Sequence, residues 1–112
     1  MKKIEAIIRE EKLEPIRKSL EGMGLYGMTI TEVSGRGRQK GIALQWRVGE
    51  YKVDFLPKLK LEMVLADKDA PQVVKMIQEQ ARTGDIGDGK IFVLPVDNCV
   101  RVRTGEEGEG AI

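Results

Sequence analysis

Gly84-Asp85-Ile86-Gly87-Asp88-Gly89-Lys90 fits the pattern Gly-x-x-x-x-Gly-Lys, the opening of a phosphate-binding loop. Two parts of that device are missing. Ile91 stands where a Ser or Thr hydroxyl would hold magnesium, and Ile91 to Val96 reads as a strand rather than the helix that should follow. A phosphate cradle without the hydrolytic parts points to holding a nucleotide rather than spending one. Two further segments could join it: Gly35-Arg36-Gly37-Arg38-Gln39-Lys40-Gly41 and Arg101-Val102-Arg103-Thr104-Gly105. Glycine permits close backbone approach and turns that aim N–H groups at an anion. Arginine offers a bidentate fork for phosphate, and lysine a point charge. Each segment also has an ordinary reading. Gly-x-Gly pairs are commonly turns. Arg101 and Arg103, alternating with valines, suit a solvated strand face, as Lys58 and Lys60 do. Asp85 and Asp88 oppose an anion unless they point away or cap a turn.

Composition narrows the chemistry. The 112 residues suggest one domain, spanning 1–112, large enough to bury about two-thirds of its unfolded surface. Charged residues make up 33% yet nearly cancel, at +1, which argues against a broad nucleic-acid footprint. With no histidine, zinc sites and imidazole acid–base chemistry lose their usual ligand and base. Glu10-Glu11 and Glu106-Glu107 are adjacent in sequence and suit a solvated surface better than a catalytic pair. Cys99 is the sole cysteine, so no intrachain disulfide can form; it reads as a small packed residue and fits a reducing cytoplasm. No signal peptide or membrane-spanning stretch is expected. An RNA-binding module would stack bases on strand aromatics, but aromatics are only 4%, and Phe92 alone sits in a clear strand.

The elements that must position these residues follow from periodicity. Ile4, Ala6 and Ile8 alternate with Lys3, Glu5 and Arg9 as in a strand. Leu13, Ile16, Leu20 and Met23 make a helical stripe, with Pro15 in the first turn and Gly22 and Gly24 at the end. Met28 to Val33 reads as a second strand. A long polar stretch runs from about Gly35 to Phe55, beyond the usual length of a connection and therefore a functional or disordered segment. Leu59, Leu61, Met63 and Leu65 mark the clearest strand. Asp69 and Pro71 start a second helix whose stripe is Val73, Val74, Ile77 and Ala81, ended by Thr83 and Gly84. Ile91 to Val96 follows, then a short last strand carrying Val100 and Val102, then a mobile Gly- and Glu-rich tail at 105–112. This order predicts an α+β, ferredoxin-like βαββαβ sandwich with both helices on one sheet face. Ile7 and Val64 make the other face partly apolar, and subunit association would cover it.

The chain resembles the PII family of nitrogen-regulatory signal proteins along its whole length. The matching stretches are Lys2 to Ile8, Gly27-Met28-Thr29, Gly37 to Gly41, Glu50-Tyr51 and Asp54 to Lys58. Thr83-Gly84, Gly87 to Val93 and Arg101 to Glu106 complete the match, the last two as family signatures. The resemblance implies a cytoplasmic, non-enzymatic homotrimer with ATP or ADP in clefts between subunits and 2-oxoglutarate beside Mg-ATP. By position it implies that Gly87, Asp88, Gly89, Lys90, Arg101 and Arg103 hold phosphates, Arg103 reaching from a neighbouring subunit. Gly37 and Arg38 would join them at the nucleotide, and Thr29, Glu62 and Val64 would line the adenine and ribose region. Gln39 would ligate magnesium, and 2-oxoglutarate would lie against Gln39, Lys40, Gly41 and Lys58. The segment at about 36–55 would be the family's T-loop, whose conformation, shifted by the bound ligands, controls nitrogen-assimilation targets. The implied partners are an ammonium transporter, nitrogen-metabolism enzymes or regulators, with recruitment to a membrane through the transporter and no direct insertion or nucleic-acid binding.

The departures from the family pattern cluster in that loop and near the first helix. Glu10-Glu11 replaces a usual Pro-Phe, and Arg36 a common aromatic. Ile42 to Gly49 is more apolar than the family norm, and Gly49 cannot be phosphorylated. Trp46 reads as an anchor for a partner, as interface aromatics are, or as a residue packing on the protein's own body. Arg47 stands where relatives enter a channel pore, and Tyr51 where many bacterial relatives are uridylylated. The alternative function these departures raise is a nucleotide-binding regulator of a different transporter or enzyme, with little 2-oxoglutarate response.

Overall fold

The computed structural model describes residues 1–36, 42–46, 49–53 and 56–112. The chain runs β1 (Lys2–Ile8), α1 (Leu13–Gly22), β2 (Thr29–Gly35), β3 (Ile42–Trp46), β4 (Gly49–Val53), β5 (Leu56–Leu65), α2 (Ala70–Ala81) and β6 (Lys90–Pro95). Four strands form one antiparallel sheet in the order β2-β5-β1-β6, the ferredoxin-like arrangement. Strands β3 and β4 pair separately as a hairpin. No helix among the described residues is long and apolar enough to cross a membrane.

The two-residue period of the strands and the helical stripes meet in one core. Ile4, Ala6 and Ile8 of β1 and Leu59, Leu61, Met63 and Leu65 of β5 face Ile16 and Leu20 of α1 and Ala70, Val73, Ile77 and Ala81 of α2. Ile4, Ile8, Leu61, Val73 and Ile77 are sealed from solvent, so truncating any to alanine costs about 2–5 kcal/mol. Gly24, at φ +75°, ends α1 as a left-handed residue, and Leu25 N–H closes back on the Leu20 carbonyl at 2.9 Å. Pro71 sits in the first turn of α2. Asp69 occupies the cap position, but its carboxylate accepts from Gln72 Nε2 at 3.3 Å instead of capping the helix amides.

The opposite face is mixed, and open in the single chain. Cross-strand register puts Ile7, Val64, Phe92 and Leu94 on it beside Lys3, Glu5, Lys60 and Glu62. Lys3 Nζ lies 3.2 Å from Glu5 and 3.4 Å from Glu62, and Lys60 Nζ 3.1 Å from Glu62, a charge lattice across β1 and β5. Phe92 and Leu94 remain exposed along β6.

Three expectations change. The long segment 35–55 is not plain loop: β3 and β4 pair from Ile42↔Val53 to Trp46↔Gly49. Its apolar residues at alternate positions favour strand pairing over a polar coil. The last strand does not form. Arg101 to Gly105 folds into a turn, closed by Gly105 N–H to the Arg101 carbonyl at 2.8 Å and by the bridge Val100↔Glu107. Gly105, at φ +75°, supplies the left-handed residue that closes it, so Arg101 and Arg103 do not share a strand face. The tail expected to be mobile forms a 3-10 turn at Gly108–Ala111 and buries Ala111.

Candidate functional site: a glycine loop tied from behind

The loop between α2 and β6 is built on three glycines with positive φ: Gly84 (+95°), Gly87 (+105°) and Gly89 (+104°). Gly89 has a second constraint. A Cβ there would lie 1.7 Å from the Ile7 carbonyl oxygen, so the loop rides directly on the end of β1. One glycine of the motif is therefore required by packing whether or not a ligand binds.

Asp88 turns its carboxylate into the loop, the orientation that removes its objection to an anion outside. Oδ2 accepts from the backbone N–H of Thr83 at 2.8 Å and of Gly84 at 2.9 Å. Oδ1 accepts from the Thr83 hydroxyl and from Arg9 Nε, the latter at 3.1 Å. Thr83 Oγ1 in turn accepts from Asp85 N–H at 3.1 Å. Burial pushes the Asp88 carboxyl up, but the Thr83 hydroxyl, the Thr83 and Gly84 amides and Arg9 outweigh it and hold the group well below the ordinary carboxylate range. The first half of the motif thus serves the loop's own carboxylate. Gly87 to Lys90 is left as the half that can meet a phosphate.

Two cations reach the loop from the sheet. Arg9 Nη2 donates to the Ile86 carbonyl at 3.1 Å, and Lys58 Nζ to the Gly87 carbonyl at 2.6 Å. Ile8 pairs with Leu59, so Arg9 and Lys58 leave neighbouring strand positions. Burial lowers the Lys58 pKa, and the nearby Arg9 charge lowers it further. Lys90 opens β6 opposite Ile7.

The remaining expected residues divide into three groups. Thr29 and Glu62 are direct cross-strand partners, with Val64 two positions on along β5, all on the open face. Arg101 and Arg103 are not brought to the glycine loop within the chain: Arg101 is bound in its own turn, to Glu106 and to the carbonyls of Gly110 and Ile112, each at 3.5 Å. Gly37, Arg38, Gln39, Lys40, Gly41 and Arg47 lie outside the described residues. Trp46 ends β3 and Tyr51 lies in β4, opposite Leu44. A cavity of about 430 Å³ lies on the α2 side of the loop, lined by Ile77, Gln78, Arg82, Asp88 and Lys90.

Arg9 and Thr83 are the loop contacts that the sequence does not announce. Arg9 reads as one more polar residue at a strand end, and its partners lie 77 and 79 residues away. Thr83 reads as a helix terminator.

Comparison with known proteins agrees with the fold. The family model for nitrogen regulatory protein P-II matches residues 1–106. Over all 112 residues the chain is 57% identical to nitrogen regulatory protein P-II of Haemophilus influenzae and 56% identical to that of Pasteurella multocida, covering the whole of each. It is 55% identical to nitrogen regulatory protein P-II 2 of Methanothermobacter thermautotrophicus, covering 97% of it. A glycine loop standing on the edge of a ferredoxin-like sheet, in a chain matched end to end by such relatives, places this protein in the P-II family of nitrogen regulatory proteins.

Proposed function

We propose that the protein is a non-enzymatic sensor that binds ATP or ADP through the glycine loop and reports their level, with that of 2-oxoglutarate, to nitrogen-assimilation targets. The observation that carries this reading is the inward carboxylate of Asp88. With that charge consumed inside the loop, Gly87 to Lys90 can face a polyphosphate without an opposing anion. Lys90, at the head of β6, supplies positive charge beside it. The missing hydroxyl at Ile91 fits holding without hydrolysis.

The single chain offers only part of such a site. Thr29, Glu62 and Val64 lie on the open sheet face, and Arg101 and Arg103 stand in a separate turn. A homotrimer joins them: the neighbouring copy brings Arg103, with Arg101, to the phosphates while the exposed Phe92 and Leu94 are covered. Bound magnesium would supply charge neutralisation for the phosphates, with Gln39 as its amide ligand. Lys58, with Gln39, Lys40 and Gly41, would take 2-oxoglutarate, an ammonium against a carboxylate. The β3–β4 segment is then the effector arm. Trp46 and Arg47 contact a partner such as an ammonium transporter, and Tyr51 is the modifiable position. A cytoplasmic location, with recruitment to the membrane through that partner, follows from the same reading.

Calorimetric titration of ATP and ADP, with and without magnesium and 2-oxoglutarate, tests the proposal. Saturable ATP binding, and 2-oxoglutarate binding that requires Mg-ATP, is the expected result. Absence of nucleotide binding would reject it. Nucleotide binding without any 2-oxoglutarate response would favour the regulator of a different target.

A further inference from the structure

The two cations behind the glycine loop act on its backbone. Arg9 holds the Ile86 carbonyl and Lys58 the Gly87 carbonyl, two successive acceptors drawn towards the end of β1 and β5. A trans peptide is planar, with its C=O and the following N–H on opposite sides. Fixing the Ile86 carbonyl therefore fixes the Gly87 N–H away from Arg9, and fixing the Gly87 carbonyl fixes the Asp88 N–H away from Lys58. Gly87 at φ +105° is the residue that permits the two planes to be set in this way. Arg9 also binds Asp88 Oδ1, so one guanidinium holds both the carbonyl and the carboxylate to the rear.

We propose that Arg9 is a positioning residue for phosphate recognition, aiming the consecutive Gly87 and Asp88 amides outward without touching the ligand. The inference rests on the glycine loop being the phosphate site. Lys58 shares the task, but it has a further role under the proposed function, so Arg9 is the cleaner probe. Its side chain is largely buried between the loop and the sheet, at 17% exposure, and its fork is already spent on Asp88 and Ile86.

The test compares ATP with AMP on wild type, Arg9→Ala and Arg9→Lys, each checked for the wild-type circular dichroism spectrum. Arg9→Ala should weaken ATP by about tenfold, the scale of one charge-assisted contact, and AMP by less than about twofold. Arg9→Lys keeps the charge but lacks the planar fork that reaches both acceptors from separate nitrogens, and should fall between. An equal loss for ATP and AMP, or no loss for either, overturns the proposal. So does an Arg9→Lys protein that binds ATP like wild type. Inorganic tripolyphosphate separates this proposal from the function it rests on. If wild type binds tripolyphosphate but not ATP, the nucleotide reading fails, and a similar tenfold loss in Arg9→Ala would still support the positioning role. If wild type binds neither, both fail.

Discussion

The glycine loop at 83–90 and the turn at 100–107 each pair glycine with cationic residues that suit a phosphate, yet they are held in opposite ways. The loop is tied by distant partners: Arg9, 79 residues from Asp88, and Lys58, 29 residues from Gly87. The turn is tied by its neighbours: Arg101 to Glu106, Gly105 N–H to the Arg101 carbonyl, and Glu106 N–H to Thr104 Oγ1 at 3.2 Å. The difference teaches that the first is a property of the sheet and the second a property of the local chain. A change at the end of β1 should reach the loop, whereas the turn should keep its shape whatever happens to the core.

The strongest way to break this contrast is Gly89→Ala. Its Cβ would overlap the Ile7 carbonyl in a backbone conformation that alanine avoids, and urea denaturation should show a loss on the order of 4 kcal/mol. Gly105→Ala has the same kind of φ but open space around it, and should lose only about 1 kcal/mol. Equal losses would remove the distinction. Next comes Asp88→Ala, which strands the Thr83 and Gly84 amides and the Arg9 fork. It should lower Tm by about 5 °C and weaken ATP binding.

The acid limb of stability sharpens the same point. The Asp88 pKa is depressed in the folded chain, so its stabilisation is present above about pH 4, the unfolded carboxylate range, and is lost as pH falls towards the folded value. Scans of Tm from pH 7 to pH 2 should fall less steeply below pH 4 in Asp88→Ala than in wild type. The smallest effect belongs to the turn. Glu106→Gln removes one exposed ion pair and should move Tm by less than about 2 °C.

What could be read from the sequence tracks the same local and distant division. The core was legible because strand and helix periods depend on the chain itself: Leu59, Leu61, Met63 and Leu65 alternate, and Val73, Ile77 and Ala81 fall on one stripe. The glycine loop was legible as a motif, but not its wiring, since nothing near Asp88 names Arg9 as its partner. Gly89 was legible as a glycine and opaque as a packing contact with Ile7, a residue 82 positions earlier brought alongside by strand pairing. The last strand failed for the opposite reason. Val100 and Val102 alternate with arginines as a strand would, but Thr104-Gly105 carries turn chemistry that closes the segment on itself before it can reach a sheet. The β3–β4 hairpin was hidden inside a stretch whose glycines and charges read as loop, although Ile42, Leu44, Trp46, Tyr51 and Val53 sit at register positions on one face.

The carboxylate that Asp88 folds into the loop has a thermodynamic consequence. The loop brings its own counter-charge and does not need a solute to hold its shape. A phosphate arriving there meets a preformed surface, and little chain entropy remains to be lost at that point. Any large unfavourable entropy in nucleotide binding should then originate in other segments of the chain, and calorimetry on Asp88→Ala and wild type would separate the two contributions.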